Sequence, residues 1–131
     1  MATVTFVDET TSGLRREAWG LAVEEQRLTL RELIRRRVLR EAAEYDARRP
    51  GVFHGLVQPV EAESALNGYR QRAADRRVDP ERQFLSAVEA FGRNGFLVLV
   101  GDRQIEELDV EVDVSADTEV CFLKLVPLVG G

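Results

Sequence analysis

The chain has 131 residues, a formal charge of −5, 44% hydrophobic residues, and one Cys and one His. That length suits one domain with a real core, and the sequence holds no apolar run approaching a membrane span and no secretory leader pattern, so a soluble cytoplasmic protein is expected. An acidic chain lacks the basic field that nucleic-acid binding needs, one cysteine forbids an internal disulfide framework, and a lone Cys beside a lone His makes no metal set.

Thr3 to Val7 is rich in β-branched and aromatic residues and reads as a first strand, the polar stretch Asp8 to Gly13 supplies a turn, and Ala18 to Val23 returns. Together they predict an N-terminal hairpin. Thr29 opens a helix signal: a hydroxyl N-cap with Glu32 three residues on is a capping-box pattern. Leu30, Leu33, Ile34, Val38, Ala42 and Tyr45 then recur at helical spacing, and the helix should stop before Pro50-Gly51. Such a stripe requires a sheet or a second helix to cover it.

Arg35, Arg36 and Arg37, with Arg31 and Arg40 near them, form the one basic cluster. Because Glu32, Glu41 and Glu44 share the helix, the cluster reads as a solvated face rather than a surface for an acidic partner.

Residues 50–95 read as an insertion. Val52 to Val57 is a short strand candidate stopped by Gln58-Pro59, and Ala62 to Leu66 is a helical turn before Asn67-Gly68. His54 has no Cys, Asp or Glu motif beside it and reads as a polar residue at a loop edge. Asp79-Pro80-Glu81 starts a second helix, with Asp as cap and Pro at the first helical position; Phe84, Leu85, Val88 and Phe91 give its apolar face, and Gly92 or Asn94-Gly95 ends it.

Phe96 to Val100 is a continuous apolar run between glycines, the pattern of a buried central strand. Gly101-Asp102 turns the chain and Arg103 to Ile105 forms a short edge segment. Val110, Val112 and Val114 alternate with Glu111 and Asp113, as in a half-exposed strand. Glu119 to Leu128 reads as a last strand covered on both sides, with Pro127 marking where pairing stops. Cys121 in that strand reads as a buried small hydrophobe.

Beyond it stand Leu128-Val129-Gly130-Gly131. Two glycines form a thin, extended tail that can thread a narrow channel and present a carboxylate to chemistry elsewhere, although a frayed terminus has the same composition. One bias adds to this: of 18 basic residues 17 are Arg, and Lys124 is the only lysine, so a tail joined to amines would find few acceptors on its own chain.

Strand, strand, long helix, inserted region, strand, short strand and final strand is an order that resembles the ubiquitin-like β-grasp, an α+β fold whose mixed sheet wraps a helix. The resemblance covers approximately residues 3–46 and 96–131. Its most specific part is Phe96 to Leu108, which is similar to ubiquitin's strand, glycine turn, short edge strand and acidic loop; in that family the final strand leads directly to the diglycine. Residues 1–131 would then form a single ubiquitin-like domain, with 50–95 inserted and 128–131 as the extended tail. The insertion is some tens of residues longer than ubiquitin allows, and Pro127, Leu128 and Val129 stand where ubiquitin's tail carries arginines, so partner surfaces should differ from ubiquitin's.

The resemblance implies a bacterial-style or otherwise divergent protein modifier rather than an enzyme. An ATP-using activating enzyme would adenylate the Gly131 carboxylate, a cysteine of that enzyme or of a carrier or ligase would capture it as a thioester, and a target-protein amine would form the isopeptide bond. Gly130 and Gly131 are the conjugation residues, Leu128 and Val129 docking contacts, and Lys124 a candidate acceptor. No phosphate-cradling glycine loop is present, so ATP belongs to the partner and no cofactor or metal is expected on this chain. Leu99 and Val126 are as well suited to a core as to a binding patch. Two other readings share the fold: a sulfur carrier, in which Gly131 becomes a thiocarboxylate, and a non-covalent adaptor in which the diglycine plays no part. No Ser, His and Asp set or pair of catalytic acids stands out.

Overall fold

The computed structural model describes residues 1–48, 55–57 and 79–125. The fold is α+β. The described elements run β1 (Ala2–Thr10), β2 (Arg15–Val23), β3 (Arg27–Thr29), α1 (Leu30–Arg48), α2 (Pro80–Gly92), β4 (Phe96–Val100), β5 (Arg103–Ile105), β6 (Glu111–Asp113) and β7 (Thr118–Lys124). The chain divides into two compact units, Met1–Leu33 with Phe91–Gly131, and Ile34–Ala90.

The first unit holds a five-stranded mixed sheet in the order β2-β1-β7-β4-β5. β1 pairs antiparallel with β2 and parallel with β7, and β4 pairs antiparallel with both β7 and β5. The hairpin is longer than the local sequence suggests, because β1 continues to Thr10 and β2 begins at Arg15. Its polar extension sets opposite charges across the strands, Asp8 opposite Arg16 and Glu9 opposite Arg15, the latter 3.8 Å apart at Oε2 and Nη1, and leaves only Thr11 to Leu14 for the turn. A bulge between the Phe6 and Val7 positions shifts the register on β2.

One face of this sheet forms an apolar core. Val4 and Phe6 of β1, Val120 and Phe122 of β7, and Phe96 and Val98 of β4 share that face by register and are all buried. The rings stack across the strands, with Phe122 centred 5.8 Å from Phe6 and 6.0 Å from Phe96. β7, not β4, is the middle strand, and its consecutive buried residues Val120, Cys121 and Phe122 have cover on both faces. β4 is buried at Phe96 and Val98 but only half-buried at Leu97, Leu99 and Val100, so its unbroken apolar run does not denote two equally covered faces. Gly101, at φ +60°, supplies the left-handed residue of the β4–β5 turn.

Of the alternating valines only Val112 stands in a strand, and that strand lies outside the five-stranded sheet. Val112 lies in β6, which pairs antiparallel with β3, a strand with no clear sequence signal, and the two form a separate ribbon. This ribbon delivers the chain into α1. Thr29 ends β3 and caps the helix, its Oγ1 accepting from the Glu32 N–H at 3.1 Å, while the N–H groups of Leu30 and Arg31 donate to the carbonyls of Val110 and Leu108.

Every apolar position of the α1 stripe from Leu30 to Tyr45 is buried, and so are Arg37 and Glu41. Arg37 therefore corrects the reading of the arginine cluster as a solvated face: it lies at helical spacing from Leu33, Ile34 and Glu41, inside the stripe. In the second unit, Arg35 joins the two helices, hydrogen-bonding Glu81 at 2.7 Å with its guanidinium 5.2 Å from the Phe84 ring centroid.

Asp79 caps α2, its Oδ1 accepting from the N–H of Glu81 at 3.0 Å, and Pro80 takes the first helical position. The helix buries Gln83, Phe84 and Ala87, while Leu85 is 62% exposed, so the face is rotated from the Phe84, Leu85, Val88, Phe91 expectation. The physical reason is a polar anchor, since the Gln83 side-chain amide donates to the Val57 carbonyl. Gly55 to Val57 form no strand. The rest of the Val52 strand candidate, His54, Pro59 and the helical turn at Ala62 to Leu66 lie outside the described residues.

Candidate functional site

The expected conjugation residues Gly130 and Gly131 and the expected docking residues Leu128 and Val129 lie outside the described residues, as do Val126 and Pro127. What the structure defines is the strand that leads to them. β7 is hydrogen-bonded on one side to β1 over Val4 to Thr10 and on the other to β4 over Phe96 to Val100. A strand with two neighbours is the best-anchored part of a sheet, so a load applied beyond Lys124 is resisted by two ladders rather than one.

Lys124 is the last residue of β7 and is half-buried, opposite Thr10 on one side and Phe96 on the other. Its carbonyl accepts from the N–H of Thr11 at 3.1 Å, which ties the hairpin tip to the end of β7. Around this junction Leu14 and Leu125 are exposed, at 71% and 44%.

The face opposite the aromatic core carries a group that sequence reasoning missed. By register Glu9, Val7 and Thr5 of β1 share that face with Leu123, Cys121 and Glu119 of β7 and with Arg15 of β2. Leu99, opposite Cys121, continues the apolar row at half burial. Arg15 Nη2 hydrogen-bonds Glu119 Oε1 at 2.6 Å, its Nη1 lies 3.8 Å from Glu9 Oε2, and the Cys121 thiol donates to Glu9 Oε2 at 3.3 Å. Burial, then the hydrogen bond and negative charge of Glu9, push the Cys121 thiol up to about 11. The hydrogen bond to Glu119 is also the main reason the Arg15 pKa is raised. Cys121 is thus a buried, protonated thiol with little nucleophilic character at neutral pH. No local motif announces this set, because Arg15 and Glu119 stand 104 positions apart.

The buried polar group of the second unit is structural in form. Glu41 Oε2 receives Arg37 Nη2 at 3.3 Å and the Leu56 N–H at 2.8 Å, so one carboxylate oxygen joins α1 to the segment at Leu56. Among the described residues no group of three or more His, Cys, Asp or Glu is placed to hold a metal ion, and no helix is long and apolar enough to cross a membrane.

No protein-family model matches the chain, and no curated protein or solved structure is significantly similar to it.

Proposed function

We propose that the chain is a β-grasp protein modifier whose Gly131 carboxylate, free as it stands or exposed by cleavage behind it, is joined to amines of target proteins. The observation that carries this reading is the sheet: a hairpin, then a helix, then strands that complete one mixed sheet, with the strand leading to the diglycine held between β1 and β4. Element order and the parallel pairing of first and last strands are compatible with a β-grasp. The two-sided anchoring of β7 also suits a strand whose continuation is gripped by an enzyme.

In this reading a Gly131 carboxylate oxygen attacks the α-phosphorus of ATP on a separate activating enzyme, releasing pyrophosphate and leaving an acyl-adenylate. A cysteine thiolate of that enzyme or a carrier displaces AMP to give a thioester. A target amine then displaces the thiol, and the isopeptide bond forms. Leu128 and Val129 serve as docking contacts, and Gly130 and Gly131 keep the approach to the reacting carbon narrow. The chain itself contributes the electrophile only; Cys121, protonated and buried in the sheet, is not suited to hold a thioester of its own.

The test is to express the tagged full-length protein in its native cells beside a variant lacking Gly130 and Gly131 and to identify by intact and peptide mass spectrometry what the terminal carboxylate carries. A Gly-Gly remnant on target amines, absent with the variant, is the expected result. A terminal oxygen-to-sulfur mass gain without conjugates would instead establish a sulfur carrier. An unmodified tail with unchanged partner recovery would replace both with an adaptor.

A further inference from the structure

We propose that Arg15 is a strap across the outer face of the sheet, and that its release controls access to the Cys121 thiol and the apolar row beneath it. The argument is one of register. Arg15 stands opposite Glu9 at one end, and Glu119 stands opposite Thr5, so the Val7 and Cys121 positions lie between them on the same face. An Arg15 side chain that reaches Glu119 Oε1 at 2.6 Å from the β2 edge crosses β1 diagonally and passes over this intervening row.

The burial pattern fits that path. Val7 is 0% exposed and Cys121 7%, although both lie on the face opposite the aromatic core, whereas Arg15, Glu9 and Glu119 remain 37% to 48% exposed at their side chains, and Glu17, opposite Val7 on β2, is exposed too. A long arginine stem laid on apolar atoms with its guanidinium held in water is compatible with both values.

The hold is weak by construction. Ion pairs this exposed favour the closed geometry only a few-fold, and salt screens them. The strap therefore opens in the folded protein without unfolding the sheet. Opening uncovers Val7 and Cys121 and joins them to the half-buried Leu97, Leu99 and Leu123 of the same face. The device is separate from the tail chemistry, and neither depends on the other.

Steric cover and electrostatics predict opposite signs here, which makes the strap testable. Removing the Arg15 cation from beside the thiol would, by charge alone, disfavour the thiolate and slow its reactions. Removing a cover would speed them. The measurement is the alkylation rate of Cys121 by N-ethylmaleimide, an uncharged reagent, in the folded full-length wild type, Arg15→Ala and Glu119→Gln, followed by intact mass at low and high salt. The expected result is a several-fold faster reaction in Arg15→Ala, an intermediate rate in Glu119→Gln, and a rate that climbs with salt in the wild type. An Arg15→Ala rate equal to or below that of wild type would overturn the proposal. Were that variant not to fold, a wild-type rate indifferent to salt would overturn it equally.

Discussion

Arg37 and Glu41, one turn apart on α1, meet inside the protein: Nη2 lies 3.3 Å from Oε2, and the side chains are 1% and 3% exposed. Removing one partner breaks a buried, charge-assisted hydrogen bond, for an expected loss of about 1.5–3 kcal/mol. Glu41→Ala carries a second loss, because the Leu56 N–H also donates to that carboxylate. Urea unfolding of Glu41→Ala, Arg37→Ala and the double variant should show two large single losses and a double loss well below their sum.

Thr29 gives a smaller and more local prediction. Its hydroxyl oxygen accepts from the Glu32 N–H, one of the first-turn donors that α1 cannot satisfy by itself. Thr29→Ala should cost about 1 kcal/mol, whereas Thr29→Ser should keep most of it. Paired denaturant curves would check both, and equal losses would mean that the β-branched methyl, not the cap, matters at this position.

Phe122 is the hinge of the aromatic core, fully buried between Phe6 and Phe96. Truncation to alanine removes both ring contacts and leaves a cavity in the middle strand, for an expected loss of about 3–5 kcal/mol. Phe122→Leu should lose markedly less. Thermal melts of the two variants would rank them.

The Cys121 thiol supplies a pH signature. Its folded pKa, pushed up to about 11, exceeds the ordinary value of 9.0, so between these the unfolded chain loses its proton while the folded one keeps it. The unfolded state then binds fewer protons, and stability falls as pH rises through that window; below it the contribution is complete. Cys121→Ala should flatten this part of the stability profile between pH 9.0 and about 11, measured by denaturant titration at each pH.

Lys124 is half-buried at the end of β7 and is the only lysine of the chain. If the chain is conjugated to copies of itself under the proposed function, Lys124→Arg should preserve those chains, because a strand-held amine is a poorer acceptor than a free one. Immunoblots of conjugates from cells expressing the variant would decide it, and loss of chains from a folded Lys124→Arg protein would make Lys124 the acceptor.

The elements legible in the amino-acid sequence are those that short-range physics fixes. The Thr29 cap, the stripe from Leu30 to Tyr45, the Asp79-Pro80 start of α2 and the Gly101 turn are each set within a few residues, by hydroxyl caps, helical periodicity and backbone freedom. Tertiary structure decided the rest, because the interactions responsible join distant parts of the chain. Pairing with β6 is what makes a strand of Arg27 to Thr29, and the parallel ladder to β1 is what makes β7 the middle of the sheet. Arg37 looks in sequence like any member of a solvated arginine run. Only its place on the buried side of α1, with Glu41 one turn on, turns it inward. In the same way no local motif marks Arg15; the parallel pairing of β1 with β7 brings Glu119 within its reach. A long charged side chain has no environment of its own; the register of the strands around it supplies one.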